Sequence, residues 1–194
     1  MTIKLKTYAE LPPPNISEVL RYLGAKEADT QTLSLIEDVV KEASGKLSYR
    51  AIYREYAISQ NGGELDLGFS KVYSKDLSRN LAGCKKIILF ACTLGAEADR
   101  MIMRYTRTAP SRAVVLDALM SERIEALCDL LEQEVTEGKS SRPRFSAGYG
   151  DLSIELQKDI FTALDCERRI GLTLTSSFLM SPTKSVTAII GITE

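Results

Sequence analysis

The sequence predicts an α+β fold: a mixed, largely antiparallel, twisted sheet with helices packed around it. Three observations carry this expectation. Helix-period and strand-period segments follow one another without the regular strand–helix–strand rhythm of a parallel sheet. Asn61-Gly62-Gly63, set between two alternating segments, reads as a hairpin turn. Near the C-terminus, extended pieces at 172–174 and 178–180, the turn Ser181-Pro182-Thr183 and a strand over 185–192 read as a second hairpin. With no repeat and no low-complexity tract, one domain is expected to span 1–194.

In chain order, residues 1–14 read as an irregular lead-in stiffened by Pro12-Pro13-Pro14. Asn15 is a good N-cap for a short helix over 16–23, which Gly24 ends. A second helix spans 30–43, with Leu33, Ile36, Val40 and Ala43 at helical spacing and Ser44-Gly45 as its stop. Residues 47–59 alternate as a strand, Tyr49, Ala51 and Tyr53 on one side and Arg50, Ile52 and Arg54 on the other. The hairpin leads into 65–69, and Ser74 is placed to cap a short helix carrying Leu77 and Leu81.

Ile87-Ile88-Leu89-Phe90-Ala91 is a continuous apolar run of strand length, which fits the middle of a sheet. It passes through Thr93-Leu94-Gly95 into a helix with Ala98, Met101, Ile102 and Tyr105. Such a junction can hold phosphate, but neither G-x-G-x-x-G nor a P-loop lysine is present, so it reads as a β–α turn. Pro110-Ser111 opens the longest helix, through 135. Its far face carries Glu125, Asp129, Glu132, Gln133 and Glu134, a pattern usual for a solvated face. A polar linker over 139–143 follows, then a helix over 154–164 capped by Ser153, and a short turn ended by Gly171.

Composition excludes several classes. Hydrophobic residues make up 44% and charged residues 26%, which is ordinary for a packed core and argues against disorder. The net charge of −1 gives no basic footprint for nucleic acid. No apolar run has the length of a membrane span, and Met1-Thr-Ile-Lys-Leu-Lys lacks the apolar stretch of a signal peptide, so a cytoplasmic protein is expected. Cys84, Cys92, Cys128 and Cys166 form no C-x-x-C pair, which fits buried free thiols better than zinc or redox chemistry. The chain has no histidine, so no Ser-His, Cys-His or His-metal arrangement can form.

The most informative stretch is Arg144-Phe145-Ser146-Ala147-Gly148-Tyr149-Gly150-Asp151. A guanidinium clamps a carboxylate through two parallel hydrogen bonds. A Gly-Tyr-Gly turn lets the backbone approach a flat ligand, and the tyrosine adds a ring face and a hydroxyl. This set suits a small zwitterion carrying a base, such as S-adenosylmethionine. The alternative is a tight loop whose tyrosine packs on the core.

The region from Arg144 to Gly191 resembles the activation (reactivation) domain of cobalamin-dependent methionine synthase. The matching features are Arg144-x-x-x-Gly148-Tyr149, the helix with Glu155, Leu156, Gln157, Lys158, Ile160 and Phe161, and Arg169-Ile170-Gly171-Leu172-Thr173-Leu174-Thr175. They continue through Ser177-Phe178 and Met180-Ser181-Pro182 to Lys184-Ser185-Val186-Thr187-Ala188. The arrangement looks like a free-standing version of that domain.

The resemblance implies that domain's fold and a site in which Arg144 meets the methionine carboxylate and Tyr149 packs on or hydrogen-bonds the ligand. Gly148 would serve shape, while the backbone of Ala147, Gly150 and Asp151 would read the adenine edge. Asp151 has the alternative of capping the next helix. The resemblance also implies an acidic side chain from the long helix, one of Glu125, Glu132 or Gln133, and an acidic residue near the domain start, among Glu18, Glu27, Asp29 and Asp38. The tyrosine that completes the family's site beyond the last strand has no counterpart in this sequence.

The implied role is to present S-adenosylmethionine for reductive methylation of inactive cob(II)alamin carried by a methionine synthase that lacks its own activation domain. A flavodoxin-like or ferredoxin-like donor would supply the electron. The Asp-x-His-x-x-Gly motif of many corrinoid carriers is missing here, so the cobalamin belongs to the partner. One rival is an interaction module that docks on a corrinoid protein without binding S-adenosylmethionine. Another, an ordinary small-molecule methyltransferase, is opposed by the lack of an Asp/Glu-x-Gly-x-Gly loop.

Overall fold

The computed structural model describes residues 2–193. In chain order the elements are β1 (Lys4–Tyr8), α1 (Ile16–Tyr22), α2 (Thr30–Ala43), β2 (Tyr49–Ala57), β3 (Ser59–Asn61), β4 (Glu64–Asp66) and β5 (Lys71–Val72). Next come α3 (Lys75–Asn80), β6 (Lys86–Thr93), α4 (Ala96–Tyr105), α5 (Pro110–Val135) and β7 (Ser140–Ser141). A 3-10 turn (Ile154–Leu156) runs into α6 (Gln157–Leu164), followed by α7 (Cys166–Ile170), β8 (Thr173–Leu174), β9 (Met180–Ser181) and β10 (Ser185–Thr193).

Five strands form the central sheet in the order β1-β2-β6-β10-β7, and every neighbouring pair is antiparallel. The apolar run 87–91 lies in β6, the middle strand, and Ile87 through Thr93 are fully buried. A strand covered on both faces has no polar side to show, so its sequence does not alternate. Ala51, Tyr53, Ile88, Phe90, Cys92, Ala188 and Ile190 belong to one core, with α1, α2, α4 and α5 on that face. Ile52, Tyr56, Ile87, Leu89, Ala91 and Ile189 belong to the other, with α3, α6, α7 and the small sheet β3-β4-β5. Leu116, Leu119, Leu127 and Leu131 anchor α5, and each fully buried leucine contributes about 1.5–3 kcal/mol.

The caps form where the sequence placed them. Asn15 accepts from the Ser17 and Glu18 amides, Ser74 from Leu77, and Ser153 from Glu155. Gly62 and Gly63 close the β3–β4 hairpin at φ 57° and 91°, the double positive φ of a type I′ turn.

The lead-in expectation is corrected. Residues 4–8 form β1, which pairs with β2 from Lys4↔Tyr53 to Tyr8↔Tyr49. Edge position explains the miss: Lys4 and Leu5 are exposed, so the strand shows no clean apolar alternation. The polar linker likewise contains a two-residue edge strand, β7.

The proline segment is seated on α5 by a buried ion pair. Glu122 accepts from Arg123 Nε (2.5 Å) and Nη2 (2.6 Å) and from the Asn15 amide (3.0 Å), while Arg123 Nη1 donates to the Pro12 carbonyl (2.5 Å). No helix among the described residues is long and apolar enough to cross a membrane.

Candidate functional site

Residues 142–145 continue the sheet past β7 along the edge of β10. The Arg142 amide donates to the Gly191 carbonyl (2.8 Å), and Phe145 exchanges two backbone bonds with Ile189 (2.9 and 2.8 Å). Successive side chains of an extended segment point to opposite faces. Phe145 therefore enters the core beneath α6 while Arg144 turns toward α5.

There Arg144 meets three carboxylates. Its Nη2 lies 2.8 Å from Asp129 and 3.2 Å from Glu125, and its Nε lies 3.4 Å from Glu132. These residues stand at steps of four and three along α5, so one helical face presents them. Burial pushes the Glu132 carboxyl up, against the opposing pull of Arg144. Arg144 Nη1 is buried and has no hydrogen-bond partner, which leaves one donor for an incoming acceptor. Among the acidic candidates, Glu125 and Glu132 reach Arg144, whereas Gln133 lines a neighbouring cleft of about 360 Å³ with Pro12, Asn15 and Glu18. Asp129 was missed, although its four-residue spacing from Glu125 was visible. Of the residues near the start, Glu18 lines the cleft that Glu125 and Asp129 share, and Asp29 caps α2 by accepting from Thr32 (2.7 Å).

The turn after Phe145 is held from within. The Gly148 amide donates to Leu152 (2.9 Å), Tyr149 to Ser146 (3.1 Å) and Leu152 to Tyr149 (3.1 Å). The amides of Ala147, a buried residue, and of exposed Gly150 have no acceptor among the described residues. Gly148 has φ 88°, and a Cβ there would lie 2.9 Å from the Ile154 side chain, so glycine is required for shape. Tyr149 is not a core ring. It is 71% exposed and stands edge-on to Phe145, centroids 5.6 Å apart.

Asp151 caps a helix, but not the one that follows it. Its carboxylate accepts from the Ser74 hydroxyl, the Lys75 amide (2.8 Å) and the Asp76 amide (3.2 Å), all at the start of α3. The Ser74 bond first and the Lys75 bond second hold this carboxyl below the usual range. Backbone within one segment is legible in sequence; a cap supplied from 75 residues away is not.

The four cysteines form no disulfide. All four are free, and Cys92, Cys128 and Cys166 are buried. The hydrogen bond with Cys92, then burial, raises the Cys128 thiol well above its ordinary value, and burial pushes Cys166 to about 12.

Fold and site thus define an α+β domain with a curled antiparallel sheet and an arginine–carboxylate cluster beside an exposed Gly-Tyr-Gly turn. No family model and no curated protein sequence matches this chain. Its fold is that of the MetH reactivation domain: a crystal structure of that domain bound to AdoHcy superposes with a TM-score of 0.71, covering 98% of this chain and 78% of that one. Sequence identity over the match is 15%, so the likeness is one of fold.

Proposed function

We propose that this protein binds S-adenosylmethionine through Arg144 and the turn that follows it, residues 146–151, and serves as a reactivation partner for a cobalamin-dependent methionine synthase. The observation that carries the reading is Arg144, with an unpartnered buried Nη1 amid three carboxylates, in a fold whose solved counterpart holds AdoHcy. Such a cluster suits an amino-acid zwitterion: the guanidinium takes the ligand carboxylate, and Glu125 and Asp129, released from Arg144, take the ammonium. Tyr149 offers a ring and a hydroxyl, and the Ala147 and Gly150 amides offer donors for the adenine edge. Bound S-adenosylmethionine would supply the methyl group for reductive methylation of cob(II)alamin on the partner, with the electron coming from a flavodoxin-like or ferredoxin-like protein. This chain contributes binding and alignment.

Isothermal titration with S-adenosylmethionine and S-adenosylhomocysteine tests the first step. Saturable one-to-one binding supports it. A wild-type chain that binds neither turns the reading to a corrinoid-docking module, which the existing ion pairs of Arg144 favour.

A further inference from the structure

We infer that α3 is the bracket that positions the ligand segment, and that Asp76 and Asp151 act as positioning residues rather than ligand contacts. The inference rests on the binding role proposed for residues 144–151. α3 holds that segment at both ends. At its far end, Asn80 donates to the Pro143 carbonyl (3.1 Å), and Arg142 donates to the Ala82 carbonyl just beyond the helix (2.9 Å). These two bonds hold the residues immediately before Arg144.

At its near end the bonding is reciprocal. Asp151 accepts from the Ser74 hydroxyl and from the Lys75 and Asp76 amides, while the Asp76 carboxylate accepts from the Asp151 amide (3.3 Å). Ser74 in turn accepts from Leu77 (3.0 Å), so the first-turn donors of α3 are satisfied jointly by its own serine and the distant aspartate. Gly150 fits against this clasp: a Cβ there, at φ 56°, would lie 2.5 Å from Asp76 Oδ2. Tyr149, which no core packing holds, is thereby set between the Phe145 ring and the clasp. Leu77, fully buried in the core under β6, anchors the bracket itself.

The test uses the whole chain with Asp76→Ala, Asp151→Asn and Gly150→Ala, and two readouts. The first is amide hydrogen exchange of residues 146–152 without ligand; the second is affinity for S-adenosylhomocysteine. In Asp76→Ala and Gly150→Ala, exchange at 148–152 should rise and affinity fall together, each by about tenfold, the loss expected for charge-assisted hydrogen bonds. Asp76→Asn, which keeps an acceptor oxygen, should restore most of both. Unchanged exchange in Asp76→Ala overturns the bracket. Lost affinity with unchanged exchange in Asp151→Asn also overturns it, because Asp151 would then touch the ligand. If wild type binds no ligand, the functional reading fails, and the exchange result alone decides whether α3 sets the segment.

Discussion

Replacing Arg144 by Met keeps the aliphatic stem and removes the charge that Glu125, Asp129 and Glu132 share. Two effects follow, with different sizes. Asp129 and Glu125 are 69% and 44% exposed, so their pairs with Arg144 are largely screened; Glu132, at 26%, loses more. Together these give a stability loss of about 1–2 kcal/mol, or roughly 2–8 °C in Tm for a chain of this size.

The loss has a pH signature. Burial already raises the Glu132 carboxyl, and without Arg144 it rises further. A carboxyl whose folded pKa exceeds its unfolded value destabilises the fold above the folded pKa, and the penalty fades as pH falls toward the unfolded value near about 4.3. The gap between wild type and variant should therefore be widest at neutral pH and narrow in acid. Ligand affinity should drop more, about 10- to 150-fold, because a charge-assisted contact contributes about 1.5–3 kcal/mol. Urea melts across pH and titration calorimetry measure the two effects. Equal affinity in wild type and variant would refute Arg144 as the carboxylate clamp, and a pH-independent stability gap would refute the cluster electrostatics.

Glu122→Gln should destabilise by about 3–5 kcal/mol in urea melts, since it leaves Arg123 buried without a counter-charge, whereas replacing both residues by Met should restore most of the loss. A maleimide at neutral pH should label one thiol quickly, the partly exposed Cys84, and reach the other three only on unfolding; rapid labelling of all four would contradict the packing. Glu42 joins α2 to α4 and α5 through Tyr105 (3.0 Å) and Arg112 (2.6 Å). Burial opposes its charge, but the Arg112 and Tyr105 bonds prevail and lower its pKa, so its contribution holds above the unfolded carboxylate value and is lost as pH falls through the folded one. Glu42→Gln should accordingly lower the urea midpoint at neutral pH and change it little in strong acid.

What the sequence disclosed was local. α5 begins at Pro110 and ends at Val135 because a proline at N1 and a glycine just past the end mark both limits, and its apolar stripe is continuous. The central strand declared itself through burial on both faces. β1 stayed hidden because its lysines belong to an edge, and β7 because two serines carry no pattern. At the site, Arg144, Gly148 and Tyr149 stood out as residue types, and Glu125 and Glu132 by helix position. The Asp129 contact and the α3 clasp depend on how distant segments pack, which no spacing within 144–151 encodes.

The central claim is tested most directly at the cobalt. A methionine synthase without an activation domain, loaded with cob(II)alamin, is mixed with this protein, S-adenosylmethionine and a low-potential reductant, and the visible spectrum is followed. Conversion to the methylcobalamin spectrum is expected only in the complete mixture, slowed by Arg144→Met in proportion to its lost affinity. A conversion rate that is the same with and without this protein would contradict it.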